Sequence, residues 1–249
     1  MVAGRERVAN GLREPLLAFV AATALAAAAA AVGAVVPMVR DYLSVAIAMI
    51  FFYTPAVAAR RAGRELDYRD AGLRADPVLL NLRVVAVAAA IVFPVFVVGF
   101  FGFYGRVCGD PTSALGRAWA GLCGRWLGLS GGHLRLPPHF ALLALTQLIV
   151  VAIPEELFFR GYLMERLERV WPPTRRWLGA PVGTALLVSS VLFALGHIAV
   201  IPNPQRLAVF FPALAFGWMR ARTGSIAAGA VFYALCNVVS DVLHTSYFG

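Results

Sequence analysis

The stretch VAIPEELFFRGY, residues 151–162, sets two adjacent carboxylates, Glu155 and Glu156, and a guanidinium, Arg160, inside an apolar run. On a helix, positions four apart share a face, while neighbours lie about 100° apart. Glu156 and Arg160 therefore form an i, i+4 pair with the acid on the N-terminal side, the favourable order for an ion pair. Glu155 points about a quarter turn away and has no such partner. Two carboxylates in unlike surroundings divide into a structural anion and a group able to act as a general base. The bland alternative is a salt bridge at a helix end near a membrane surface, which the amphipathic MERLERV (164–170) would suit.

Two further polar positions interrupt apolar segments. His197, in SSVLFALGHIAVI (189–201), is the only ionisable residue between Arg176 and Arg206, and Phe193 lies one turn before it. Alone, such a His also reads as a helix–helix contact. In GAVFYALCNVVSDVLH (229–244), Tyr233, Asn237, Asp241 and His244 fall on one stripe of an otherwise apolar helix. A stripe of this kind faces protein or water rather than lipid.

The elements that must position these groups are membrane helices. The 249-residue chain is 60% hydrophobic and 14% charged, with a mean hydropathy of +0.76. Soluble domains carry roughly 45–50% apolar and about 25% charged residues. Residues 15–37 hold no charge and are long enough to cross a ~30 Å hydrocarbon layer. Further apolar blocks at 42–59, 84–104, 140–162, 180–201, 207–219 and 225–243 predict an all-α polytopic bundle of about seven transmembrane helices. The first block exceeds the 7–15 residues of a signal-peptide core, so it predicts a retained helix. We divide the chain into N-terminal helices and loops (1–139) and a core (140–249).

The net charge of +9 would suggest nucleic acid in a soluble protein; here it has a simpler origin. All 22 basic residues are Arg, as a GC-rich genome would give, and they gather in alternate loops. The positive-inside rule then puts the N-terminus in the cytoplasm and the 105–139 loop outside. That loop holds Cys108 and Cys123, either a disulfide or two free thiols, and its segment 113–129 could lie as an interfacial helix anchored by Trp119 and Trp126.

Depth decides whether the three polar sites can meet. With helices ending near 170 and restarting near 180 around the turn at Arg176, and at 1.5 Å per residue, Glu155 lies ~22 Å in and His197 ~25 Å, with Asn237 ~18 Å from its own helix start near 225. Independent placement would rarely align them.

Glu155-Glu156-x-x-x-Arg160, Phe193-x-x-x-His197 and the Gly-Ser-Ile start at 224–226 leading to Asn237 resemble the CPBP family of intramembrane proteases. That family includes the type II CAAX prenyl endopeptidases, bacteriocin-processing or self-immunity proteins and the myxosortases. The resemblance covers about 140–243, and DAGLR (70–74) is similar to the loop before that core. It implies that Glu155 activates water, with Glu156 and Arg160 supporting, His197 assisting and Asn237 stabilising an oxyanion. The sequence departs at the family's late His, where Tyr233 stands. A catalytic zinc wants three protein ligands, and Tyr233 is a poor third beside Glu155 and His197, although Asp241 or Cys236 could complete a set. A Tyr hydroxyl does donate well to an oxyanion. The resemblance implies a peptidase acting on a membrane-anchored or lipidated protein; the all-Arg composition and loop charges suggest a bacterial inner membrane, and the lack of a good third ligand favours a glutamate-activated water with no cofactor or bound metal. The rival readings are an inactive membrane scaffold or immunity protein, and a transporter.

Overall fold

The computed structural model describes residues 2–248, with side chains from residue 11 on. Helix α1 (Val2–Val35) carries its Pro15 early and is followed by a short turn, Pro37–Asp41. Helix α2 (Leu43–Arg61) returns antiparallel to it. After the loop 62–77 comes α3 (Val78–Gly109), then the capping region 110–139. A continuous helix α4 (Phe140–Val170) leads to a hairpin of β1 (Arg175–Trp177) and β2 (Ala180–Val182). Helices α5 (Thr184–Val200), α6 (Phe210–Thr223) and α7 (Ala227–Tyr247) complete the bundle.

Every apolar block expected to cross the membrane is largely helical. Among the described residues, five helices are long and apolar enough to span: Gly11–Val35, α2, α3, α4 and α7. Helices α5 and α6, of 17 and 14 residues, fall below that length, so seven full spans are not reached on length alone. The block expected from 180 begins as a strand instead. Leu178 and Gly179 both take positive φ, the geometry of a two-residue hairpin turn, and Trp177 pairs with Ala180. The helix therefore starts only after Gly183.

Opposite ends of the bundle are marked by different contacts. At one end Arg64 and Arg166 donate to Glu14 at 2.5 and 2.9 Å, and the Ile226 N–H donates to the Gly72 carbonyl at 2.9 Å. Ser225 donates to the Arg74 carbonyl, which ties the 62–77 loop to the α6–α7 turn. The same loop presses its Ala71 carbonyl against Gly161 on α4, where any Cβ would collide with it. At the other end Cys108 and Cys123 are joined by a disulfide, the Leu127 N–H donates to Tyr247, and the Arg135 N–H donates to Ser246.

The interfacial helix expected over 113–129 is reduced to Ala114–Ala118 and a single turn at Ala120–Leu122. Gly121 and Gly124 weaken it, and the cross-link holds Cys123 against α3. Trp126 is drawn into an aromatic cluster with Tyr104, Tyr247 and Phe248, while Trp119 packs edge-on against Phe103.

The core lies where α4 meets α5, α6 and α7. Phe158, Phe159, Tyr162, Phe193, Phe216 and Phe232 are buried there together. The middle of α4 departs from α-geometry: Gln147–Ala152 and Leu157–Met164 are π-helical and bracket one α-turn, Ile153–Glu156. Such wide turns recur at functional sites because they re-aim side chains without ending a helix.

Candidate active site

That single α-turn carries both carboxylates. Glu156 is fully buried and Arg160 is 1% exposed, with Arg160 Nη1 2.8 Å from Glu156 Oε1. The contact is ionic by distance but poorly aligned as a hydrogen bond. The guanidinium is held further by three neighbours. Its Nη2 donates to the Ala213 carbonyl at 3.1 Å, and its Cζ lies 4.3 Å from the Phe193 ring centre and 5.2 Å from that of Phe216. Cation–π contacts of this kind strengthen where water is excluded.

The other carboxylate oxygen, Glu156 Oε2, rests against the backbone of Gly229 on α7. A Cβ at 229 would lie 2.5 Å from it, so only glycine lets the two helices approach this closely. Neither Gly229 nor the Ala213 carbonyl is marked by any periodic signal in the sequence.

Glu155 projects to the other side. Its side chain is 12% exposed, and its Oε2 accepts a hydrogen bond from the Tyr233 hydroxyl at 2.9 Å. His197 Nε2, with its side chain 14% exposed, lies 3.9 Å from the same oxygen. The other ring nitrogen, Nδ1, is 3.0 Å from the Phe193 carbonyl. A carbonyl only accepts, so Nδ1 bears the proton, and in the neutral tautomer that this leaves, Nε2 would turn its lone pair towards Glu155. One water, ~2.8 Å from both acceptors, could donate to each across this gap. Phe193, one turn before His197, serves two groups: its ring faces Arg160 and its carbonyl fixes the imidazole.

Tyr233 lies between Phe216, stacked at 5.0 Å, and Phe193, edge-on at 6.0 Å. Its hydroxyl proton is directed at Glu155, so in this state it holds the carboxylate instead of standing free for an oxyanion. Asn237, one turn on, donates through Nδ2 to Gln147 Oε1 at 2.8 Å; Gln147 Nε2 donates to Asp241 Oδ2 at 3.3 Å. One N–H of the Asn237 amide is thus taken and the other is left. Gln147, in the first π-turn, escaped the sequence reading because an amide among apolar residues carries no spacing signature.

The six residues expected from the sequence fall into two adjoining groups. Glu156 and Arg160 are sealed in the core, whereas Glu155, Tyr233 and His197 line a half-buried polar spot with Asn237 one turn beyond. Asp241 is engaged with Gln147, and Cys236 is not drawn in. Among the described residues no three His, Cys, Asp or Glu side chains gather as a metal site requires. The arrangement offers an acceptor pair for water, a neutral donor to hold one carboxylate oxygen, and a spare amide N–H nearby.

Residues 137–239 match the family model of the type II CAAX prenyl endopeptidase, Rce1-like, and so cover α4 to the Asn237 turn. No curated protein and no solved structure matches the chain. The matched stretch contains every residue of both groups. The motif resemblance and the model match therefore coincide over this core, which is similar to a family of peptidases.

Proposed function

We propose that this chain is a glutamate-dependent intramembrane endopeptidase that cuts a peptide bond close to the membrane anchor of an anchored or lipidated protein. The observation that carries the reading is the convergence of Glu155, Tyr233 and His197 from three helices on one carboxylate oxygen, beside but separate from a fully buried Glu156–Arg160 pair.

Glu155 takes a proton from the water shared with His197, and the resulting hydroxide attacks the scissile carbonyl carbon. The carbonyl π electrons move to oxygen, where the free N–H of Asn237 is the side-chain donor one turn away. The tetrahedral intermediate collapses, the C–N bond breaks, and the proton held on Glu155 passes to the leaving amine. Preorganised donors of this sort usually supply a large share of the rate because they need no reorganisation in a dry site. Tyr233 fixes the carboxylate, and His197 orients the water through a ring already locked to the Phe193 carbonyl.

The Cys108–Cys123 bridge supports the expected orientation. The Arg-rich loops and Glu14 cluster at one end, and the Cys108–Cys123 bridge caps the other, as expected when the basic end is cytoplasmic and the capped end faces an oxidising compartment. With a chain whose basic residues are all Arg, we place the protein in a bacterial inner membrane with its N-terminus inside. A fluorogenic peptide tethered to a lipid anchor, incubated with the purified chain in lipid, tests the activity. Cleavage by the wild type and none by Glu155→Gln is expected; equal cleavage by both would refute Glu155 as the base.

A further inference from the structure

We propose that a groove on the lipid-facing side, bounded by α3, the β-hairpin, α5 and α6, binds an anionic phospholipid of the leaflet on the basic side. Its volume is about 940 Å³, at the upper end of the usual 300–1,000 Å³ for small-molecule sites. The wall is hydrocarbon along its length, from Val87 and Ile91 on α3 to Leu187 on α5 and Phe211 on α6. From Arg83 to Ile91 it extends about 12 Å along α3, enough for the upper part of an acyl chain.

Chemistry at one end selects the headgroup. Arg83 and Arg175 both line the groove and are exposed, and no carboxylate lines it. Neither guanidinium has a salt-bridge partner among the described residues. The first turn of α5 opens beside them without a side-chain cap, adding unpaired N–H groups suited to phosphate. Trp177 and Trp218 stand at the same level and are tied together, since Trp218 Nε1 donates to the Trp177 carbonyl at 3.0 Å. Indoles mark headgroup depth, and basic pockets between helices on the cytoplasmic side hold anionic headgroups. A second groove, between α1 and α2, makes the contrast: it also has two guanidiniums, Arg13 and Arg61, but Glu14 lies among them.

The groove is separate from the polar spot on Glu155. Leu186 lines it, and His197 is about 16 Å further along α5. The two nevertheless share α6: Phe211 and Trp218 face the groove, while Ala213 and Phe216 hold Arg160 on the other side. A bound lipid therefore braces the wall behind the buried ion pair.

Native mass spectrometry of the full chain, delipidated in detergent and titrated with phosphatidylglycerol or phosphatidylcholine, reads the preference directly. One phosphatidylglycerol is expected to be retained on the order of tenfold better than phosphatidylcholine, from two basic groups at the headgroup. The double substitution Arg83→Gln with Arg175→Gln should abolish that preference without lowering Tm in lipid-free detergent, because both side chains are exposed. Chain-brominated phosphatidylglycerol should quench fluorescence saturably in the wild type, and Trp177→Phe with Trp218→Phe should remove the saturable part. Equal retention of the two lipids, or a preference unchanged in the Arg83/Arg175 variant, overturns the proposal. Displacement of the phospholipid by a prenylated peptide at equal concentration also overturns it, assigning the groove to a substrate's own anchor.

Discussion

Glu155 and Glu156 are chemically identical neighbours, and replacing each by Gln should have opposite consequences. In Glu156→Gln the Arg160 guanidinium remains buried at 1% exposure without its anion. Breaking a buried pair in this way costs about 3–5 kcal/mol. The Ala213 carbonyl and the Phe193 and Phe216 faces still support the cation, which puts the loss near the lower bound, about 3 kcal/mol. At ~2–4 °C per kcal/mol for a chain of this size, Tm should fall by about 6–12 °C. In Glu155→Gln the new amide oxygen still accepts from Tyr233, so a hydrogen bond to a charged acceptor becomes one to a neutral acceptor. The difference is about 1 kcal/mol, or at most ~4 °C, yet no base remains and cleavage should disappear. Intrinsic tryptophan fluorescence on heating in detergent, run beside cleavage of an anchored peptide, separates the two effects. A double variant, Glu156→Gln with Arg160→Met, should recover most of the lost Tm, because replacing both members of a buried pair is often nearly neutral. Equal thermal losses in Glu155→Gln and Glu156→Gln would refute the division of labour.

Other expectations rest on the same geometry. Tyr233→Phe keeps the ring between Phe216 and Phe193 and removes one hydrogen bond to a carboxylate, so kcat should drop ~10- to 100-fold with KM within about twofold; wild-type kcat would reduce the hydroxyl to a packing role. Gly229→Ala drives a methyl into Glu156 Oε2 and should cost about 1–3 kcal/mol, read as a Tm loss; an unchanged Tm would mean that the carboxylate does not rest on that glycine. Chelators should leave turnover within twofold of untreated enzyme. Stoichiometric zinc in the purified chain, with activity lost on its removal and regained on its return, would overturn the glutamate-only mechanism.

How much of this was legible in the sequence depends on which regularity each feature obeys. The Glu156–Arg160 pair follows from spacing alone, since i, i+4 neighbours meet even where the helix widens into π-turns. The approach of His197 to Glu155 follows from counting inward from a shared turn. Tyr233 was legible as a departure from a motif, but its proton was expected on an oxyanion and points to Glu155 instead. Gly229, the Ala213 carbonyl and Gln147 were invisible because they act through backbone proximity or an isolated amide, neither of which imprints a period. The short strands and the broken 113–129 helix were misread for one reason: hydropathy reports burial in lipid, while Gly179, Gly121, Gly124 and a cross-link decide local backbone shape.

Helix α7 is fastened at both extremities: Ser225 and Ile226 hold its start to the 62–77 loop, while Leu127 and Arg135 bind its last turn. A rod anchored at both ends acts as a stator. Tyr233 and Asn237 ride on it and are expected to keep fixed positions while a peptide is admitted. The displacement that opens a path to Glu155 then falls to the less tethered neighbours, α5 and α6, which a 3-10 turn over Pro204–Val209 connects at the capped end. The bundle would thus part its wall on one side only, and a spin label on that turn, not one on α7, is where substrate-induced motion should register.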